Sequence, residues 1–377
     1  MQRNKLCLNA VAAAMLAALA APAAADPGGA APPLEDASAR TAEVMRAAGL
    51  PGELVVTDVA GAERSFAFGL ADREAGTPNR IGQPWIWASV TKQVTATLVM
   101  QEVDRGRISL DAPVGKYLPA FGGNREITIR ELLQHRSGLP NPSADAASGF
   151  YTQSGEHITD RGRTAGFCAG PTAKANGGDW EYNNCDYMVL GAVLEAVTGL
   201  GYDALVEERL VRPLGLDGPH LAVDGAAWGG AAARGYGASG RVAEINVATG
   251  GAAAALLGTA RDLARLDRAW MGGGLLSAEA RDMAWKGDPA LGFMALGVWS
   301  YPAGLNGCAA PVHLVERRGD FGGTQVRNVI APSLGRAVVL FTNDASAEFG
   351  EVWQAKGLTY DLLSAAFCPD PANLRED

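Results

Sequence analysis

Trp85-Ile86-Trp87-Ala88-Ser89-Val90-Thr91-Lys92 places a hydroxyl and an amine three residues apart behind an apolar approach. On a helix, residues at i and i+3 share a face, so the Lys92 amine reaches the Ser89 hydroxyl and can help remove its proton. That is a nucleophile with its own base. Val90, Val94 and Leu98 continue at four-residue spacing, as on a helix buried along one stripe, which puts Ser89 in the first turn. There the backbone N–H groups and the helix dipole favour negative charge on oxygen. This is the only Ser-x-x-Lys pair in the chain, and by itself it also fits a helix-capping serine followed by a solvated lysine.

The chain has 377 residues, of which 48% are apolar, enough for a large core. Arg3 and Lys5, an apolar run from Leu6 to Leu19, and Ala23-Ala24-Ala25 before Asp26 read as a signal peptide of residues 1–25. The expected location is therefore periplasmic or secreted. Losing Arg3 and Lys5 takes the net charge from −9 to −11, a poor match to nucleic acid. No later apolar run is long enough for a transmembrane helix, so no stable membrane insertion is expected. Cys168, Cys185, Cys308 and Cys368 are an even set in an exported chain, which predicts two disulfides. Proximity in sequence favours Cys168 with Cys185 and Cys308 with Cys368. There is no Cys-x-x-Cys pair and the four histidines are scattered, so neither a metal nor another cofactor is expected.

Pro, Gly and Ala dominate residues 26–38, which read as a disordered lead-in. A helix is expected from Ala39 to Ala48. Strands Glu53 to Val59 and Arg64 to Leu70 then flank the turn Ala60-Gly61-Ala62. Helices are expected at Ser89 to about Gly106, Ile127 to His135, Asp186 to Val197, Tyr202 to Val211 and Thr259 to Met271. Residues 141–181 are a long loop of the kind that lines a site. Strands return at Leu296 to Tyr301, His313 to Glu316, Gln325 to Ile330 and Arg336 to Thr342, the last two joined by Pro332-Ser333-Leu334-Gly335. A helix from Glu351 to Ala366 closes the chain. This order predicts an α/β fold of the α+β type. One antiparallel sheet would be built from N- and C-terminal strands and flanked by helices, with a mostly helical region inserted at about residues 89–290.

Two distant stretches add chemistry. Tyr182-Asn183-Asn184 closes the long loop, where Tyr182 can shuttle a proton and the Asn184 amide can hold substrate or Lys92; a buried aromatic and a helix cap fit as well. Glu316-Arg317-Arg318-Gly319-Asp320-Phe321-Gly322-Gly323 puts two cations at a strand end. Gly319 would let a substrate lie against the strand, and an arginine can grip a carboxylate in bidentate fashion, although a solvated strand end reads the same way.

Together these residues resemble the serine beta-lactamase-related family: class C beta-lactamases, D-Ala-D-Ala carboxypeptidases, and the family VIII-type esterases and D-aminopeptidases built on their fold. Ser89-x-x-Lys92 and Tyr182-x-Asn184 match two of its signatures. The flanks Ile127-Thr128-Ile129-Arg130-Glu131-Leu132-Leu133-Gln134-His135-Arg136-Ser137-Gly138-Leu139-Pro140, Arg212-Pro213-Leu214-Gly215-Leu216 and Ala337 to Asn343 are similar too. The resemblance runs from about Ala39 to Phe367 and implies one beta-lactamase/transpeptidase-like hydrolase domain over residues 39–377. Counting back from Asn343 places Arg317-Arg318-Gly319 where the family has Lys-Thr-Gly or His-x-Gly. Arginine keeps the charge but cannot give up a proton.

Carried over by position, the resemblance implies Ser89 as nucleophile, Lys92 as its activator, and Tyr182 as general base and then acid. Asn184, Arg317, Gly319 and Asp320 would contact substrate, with the N–H groups of Ser89 and Asp320 as oxyanion hole. His135 matches a structural element of the family. The expected function is an exported serine hydrolase forming an acyl-enzyme on a small-molecule or peptide substrate: a carboxylic ester, a D-amino-acid peptide or a beta-lactam. The altered third motif tilts this toward esterase or peptidase. The alternative is a non-catalytic binder of cell-wall peptide or penicillin in which Arg317 has ended turnover.

Overall fold

Strand-forming residues from the two ends of the chain pair into one antiparallel sheet of six strands. The computed structural model describes residues 31–142, 149–152, 166–172, 174–226 and 230–371; the expected signal peptide lies outside them. The sheet strands are β1 (Gly52–Asp58), β2 (Glu63–Phe68), β3 (Trp299–Ala303), β4 (Val312–Phe321), β5 (Thr324–Ala331) and β6 (Arg336–Thr342), ordered β3-β4-β5-β6-β1-β2. The termini meet at β1 and β6, where Val55 pairs with Val339.

Both faces of this sheet are covered, which is why its strands are rich in Val, Leu and Ile. Leu54, Val56, Leu314, Val329, Val338 and Leu340 face one layer, formed by α1 (Leu34–Ala47) and the C-terminal helix Leu358–Phe367. Val55, Val315, Val326, Val339 and Phe341 face the other, in the larger core that holds α2 (Thr91–Asp104). The sheet-and-helix architecture matches the expected fold class.

Several boundaries differ from the expected ones. The first helix starts at Leu34, inside the stretch 26–38 expected to be disordered. Pro33 precedes it and Glu35 and Asp36 sit in its first turn, where the dipole favours acids. The last helix begins at Leu358 rather than Glu351, because Ala355 and Gly357 have positive φ and interrupt the coil. Strand β4 runs on to Phe321, five residues beyond Glu316, so Arg317, Gly319 and Asp320 are strand residues and not a strand end. Finally, α2 is not buried along one stripe: Thr91 through Glu102 are all buried. Two of its threonines bond to backbone carbonyls, Thr95 donating to Ala252 O at 2.7 Å and Thr97 to Gln93 O at 2.8 Å.

Candidate active site

The nucleophile turn is held from three directions. Trp85 pairs with Gly258 in a small sheet formed by Pro84–Ile86, Leu256–Thr259 and His220–Leu221. Its indole Nε1 donates to the buried Glu53 carboxylate at 2.8 Å, and its ring stacks on Phe341 at 5.5 Å. Trp87 N–H then bonds Leu256 O at 2.9 Å. Ser89 follows inside a 3-10 turn, Ala88–Val90, that runs into α2. Ala88 has φ +47°, a conformation that costs a non-glycine residue on the order of 1 kcal/mol and persists only where the surroundings enforce it.

Lys92 lies one turn on, fully buried, with four oxygens around its Nζ. Ser89 Oγ is at 3.1 Å, Tyr182 Oη at 2.6 Å, Asn184 Oδ1 at 2.7 Å and Ala253 O at 2.9 Å. The two carbonyl oxygens can only accept, whereas the two hydroxyls can also donate. A neutral amine fits this set: two N–H bonds go to the carbonyls and the lone pair faces the hydroxyls. Burial, and then the Arg317 cation, holds the Lys92 amine well below its usual range, with the Asp186 carboxylate opposing. Ser89 Oγ and Tyr182 Oη are themselves in hydrogen-bond contact, closing a triangle of hydroxyl, amine and phenol.

Tyr182 and Asn184 are delivered by the start of the helix Asn184–Thr198, here α3. Asn183 caps it, accepting from Cys185 N–H at 2.8 Å and donating to Leu139 O at 2.7 Å. Asn141 spans the same segment, donating to Tyr182 O at 2.8 Å and accepting from Asn184 N–H at 3.1 Å. Beneath the phenol, His135 packs its ring 4.8 Å from that of Tyr182. Its Nδ1 lies 2.9 Å from Asp186 Oδ2 and accepts from Asn183 N–H at 3.3 Å. Burial pushes the imidazole well below and the Asp186 carboxyl well above their ordinary ranges. His135 therefore supports Tyr182 from below.

Strand β4 supplies the other wall. The pair Phe321 and Thr324 closes a two-residue turn at Gly322-Gly323, whose φ values of +61° and +82° are those of a type I′ hairpin. In such a hairpin the closing pair exchanges both hydrogen bonds and the pattern alternates, so the Asp320 N–H points away from β5. That edge is free of β3, which begins at Trp299 opposite Glu316. Gly319 makes the approach possible: a Cβ there would lie 2.6 Å from Val326 Cγ1, 2.8 Å from Ala88 Cβ and 2.9 Å from Ser89 N.

The two adjacent arginines part company across the sheet. Arg318 turns to the far face, donating to the buried Glu316 at 2.6 Å and to Glu351 at 2.9 Å. Arg317 is fully buried on the near face, with its Cζ 5.5 Å from the Tyr182 ring centroid and 5.1 Å from that of Trp299. Among the described residues its Nη1 and Nη2 have no hydrogen-bond partner.

Every residue singled out in the sequence thus lies in one cluster. Sequence reasoning missed Asn141, Tyr151, Ala253 and Asp186. Asn141 followed a visible helix stop, but Ala253 contributes only a carbonyl, which leaves no mark in a sequence. The disulfides Cys168–Cys185 and Cys308–Cys368 pair as expected, the first beside Asn184. Among the described residues no group of three or more His, Cys, Asp or Glu side chains is placed to hold a metal ion, and no single helix is long and apolar enough to cross a membrane.

The Ser89-x-x-Lys92 turn thus stands beside an antiparallel sheet and faces the Tyr182-x-Asn184 segment. Residues 37–360 match the family model described as Beta-lactamase, and the chain belongs to that family. It is 38% identical to Esterase EstB of Burkholderia gladioli over 165 residues, 40% of this chain and 41% of that protein. With a putative D-alanyl-D-alanine carboxypeptidase of Escherichia coli it shares 32% identity over 143 residues, 34% and 32% of the two chains. These matches span less than half the length of either relative. The solved D-amino acid amidase of Ochrobactrum anthropi covers 88% of this chain with a TM-score of 0.70, at 21% identity, and shares the fold.

Proposed function

We propose that this protein is an exported serine hydrolase that opens an ester or amide through an acyl-enzyme at Ser89. The observation that carries this reading is the contact of Lys92 Nζ with both Ser89 Oγ and Tyr182 Oη inside a buried pocket. A neutral Lys92 accepts the Ser89 proton, directly or by way of Tyr182, as the Ser89 oxygen attacks the carbonyl carbon. The oxyanion is received by the N–H groups of Ser89 and Asp320, which are fixed in place before the reaction begins. Tyr182 then delivers a proton to the departing alcohol or amine. In the second half water takes the leaving group's place and gives a proton to Tyr182, Lys92 returns its proton to the Ser89 oxygen, and the acid is released.

Asn184 holds Lys92 through Oδ1, so its amide acts on the base as well as on substrate. The open edge at Arg317 to Phe321 is available for a substrate backbone to pair as an added strand. Arg317 grips the Ser89 carbonyl and contributes a fixed positive charge. A substrate carboxylate reaches its free nitrogens only when the Tyr182 and Trp299 rings part. Carboxylic esters and uncharged amides are therefore favoured as substrates over beta-lactams and over peptides that end in a carboxylate. The two disulfides and the leader-like residues 1–25 support export.

The test is covalent labelling of the mature protein with a fluorophosphonate and with a fluorescent penicillin, followed by peptide mass analysis. Mass added at Ser89, absent in Ser89→Ala, is the expected result. Folded protein that takes up neither reagent would be a binder and not a hydrolase.

A further inference from the structure

Among the described residues, Tyr151 spans the space between Asn184 and the β4–β5 hairpin. Its hydroxyl accepts from the Asn184 amide Nδ2 at 2.7 Å, while the amide's other end, Oδ1, is taken by Lys92. Its ring stands edge-on to Phe321, with centroids 5.2 Å apart and planes at 77°. Phe321 shares the near face of β4 with Gly319 and Arg317. Behind Tyr151, Phe150 lies 4.9 Å away and packs on Phe167 at 5.0 Å. The Tyr151 carbonyl accepts from Asn246 N–H at 2.8 Å, and only 8% of the residue is exposed. Tyr151 is thus anchored at its backbone, ring and hydroxyl.

The tetrahedral carbon formed on Ser89 has four substituents. One is Oγ, a second is the oxyanion at the Ser89 and Asp320 amides, and a third is the leaving group near Tyr182. Tyr151 bridges Asn184 and Phe321, the side left for the acyl substituent in the proposed reaction.

We propose that Tyr151 is the specificity-determining residue for the acyl group, limiting the enzyme to short, uncharged acyl chains such as acetyl and propionyl. The inference rests on the hydrolase reading above. A longer chain, or an acylamino arm, must displace a ring held at three points and take the Asn184 amide from a hydrogen bond already made. Phe321 forms the opposite boundary of the same slot.

The test compares kcat/KM for p-nitrophenyl acetate and p-nitrophenyl octanoate in wild type, Tyr151→Ala and Tyr151→Phe. Labelling rates of Ser89 by a methyl and an octyl fluorophosphonate are followed in parallel. Wild type should prefer the short reagents. Tyr151→Ala should raise the octanoate-to-acetate ratio about tenfold or more, the scale on which small hydrophobic pockets discriminate. Tyr151→Phe, which keeps the ring and loses only the hydroxyl, should keep the wild-type preference for acetate over octanoate. An unchanged ratio in a folded, Ser89-labelled Tyr151→Ala protein overturns this inference and leaves the hydrolase reading intact. No labelling of Ser89 by any reagent overturns the hydrolase reading and this inference with it.

Discussion

The Arg317 guanidinium donates its Nε–H to the carbonyl oxygen of Ser89 at 3.0 Å, so a buried cation grips the nucleophile by its backbone. The same charge faces Lys92 and is the second cause, after burial, of its lowered proton affinity. One arginine therefore both holds the Ser89 backbone and lowers the proton affinity of Lys92.

Removing that charge should move the pH profile. Lys92 is faced by Tyr182 and His135, by Asp186 and Tyr187 on α3, and by Arg317 on β4. In the proposed mechanism the neutral amine is the active form, so activity should rise as pH passes upward through its titration. Arg317→Gln takes away a like charge, raises the proton affinity of Lys92, and should shift the acid limb of kcat/KM to higher pH. Arg317→Lys should restore much of the wild-type profile. A limb that stays in place in Arg317→Gln would exclude electrostatic coupling between the two residues.

Lys92→Met keeps an unbranched chain of similar length and deletes the base. The acylation rate should fall by about 10²–10⁴, the usual worth of a positioned general base. Once acylation is slower than deacylation the burst disappears, so the rate is read from single-turnover labelling of Ser89. The exchange relieves the burial of an amine but leaves Asn184 Oδ1 and Ala253 O without that donor, so the fold is checked by its melting temperature.

Gly319→Ala brings a Cβ within 3.0 Å of Val326, Ala88 and the Ser89 nitrogen. The strand must back away from the nucleophile turn, and the Asp320 N–H moves with it. Loss of one oxyanion donor commonly costs about 2.7–4 kcal/mol of barrier, so kcat should drop by roughly 10²–10³. The melting temperature is expected to fall as well, since overpacking a filled interior costs about 1–3 kcal/mol. Unaltered kcat would mean that the strand edge plays no part in the reaction.

The Cys168–Cys185 bridge closes 17 residues and joins the segment around Phe167 to the first turn of α3. Replacing both cysteines by alanine should lower stability by about 2–4 kcal/mol, read from denaturant midpoints. Activity should fall more steeply than stability, because Asn184 stands next to Cys185 and Tyr151 packs through Phe150 on Phe167. The Cys308–Cys368 pair ties the loop after β3 to the end of the last helix, away from Ser89. Its removal should cost stability with little effect on kcat in protein that remains folded.

How far the site could be read from the chain differed from residue to residue. Ser89 and Lys92 were legible because helical geometry alone brings i and i+3 together. Tyr182 and Asn184 were legible as a polar pair ahead of a helix start. Arg317 stood out by charge, but its setting was misjudged: charge and glycine together read as a solvated strand end. Instead the strand continues, with Arg317 covered by Tyr182 and Trp299 and Arg318 neutralised by Glu316 and Glu351. Tyr151 was hidden in a long loop without periodicity, where no local pattern separates a gatekeeping ring from a filler.

Local spacing, the strand-like runs at both termini and the even set of mature cysteines carried the fold class, the placement of Ser89 and Lys92 on one helical turn and the disulfide pairs. These follow from short-range geometry and from proximity along the chain. Only the tertiary structure decided that Lys92 is wholly buried among four oxygens, that Arg317 holds Ser89 by its carbonyl, and that Tyr151 closes the slot beside Asn184. Each of these depends on segments more than 30 residues apart. What a side chain does there is set by the neighbours that exclude water from it, and those neighbours are chosen by packing.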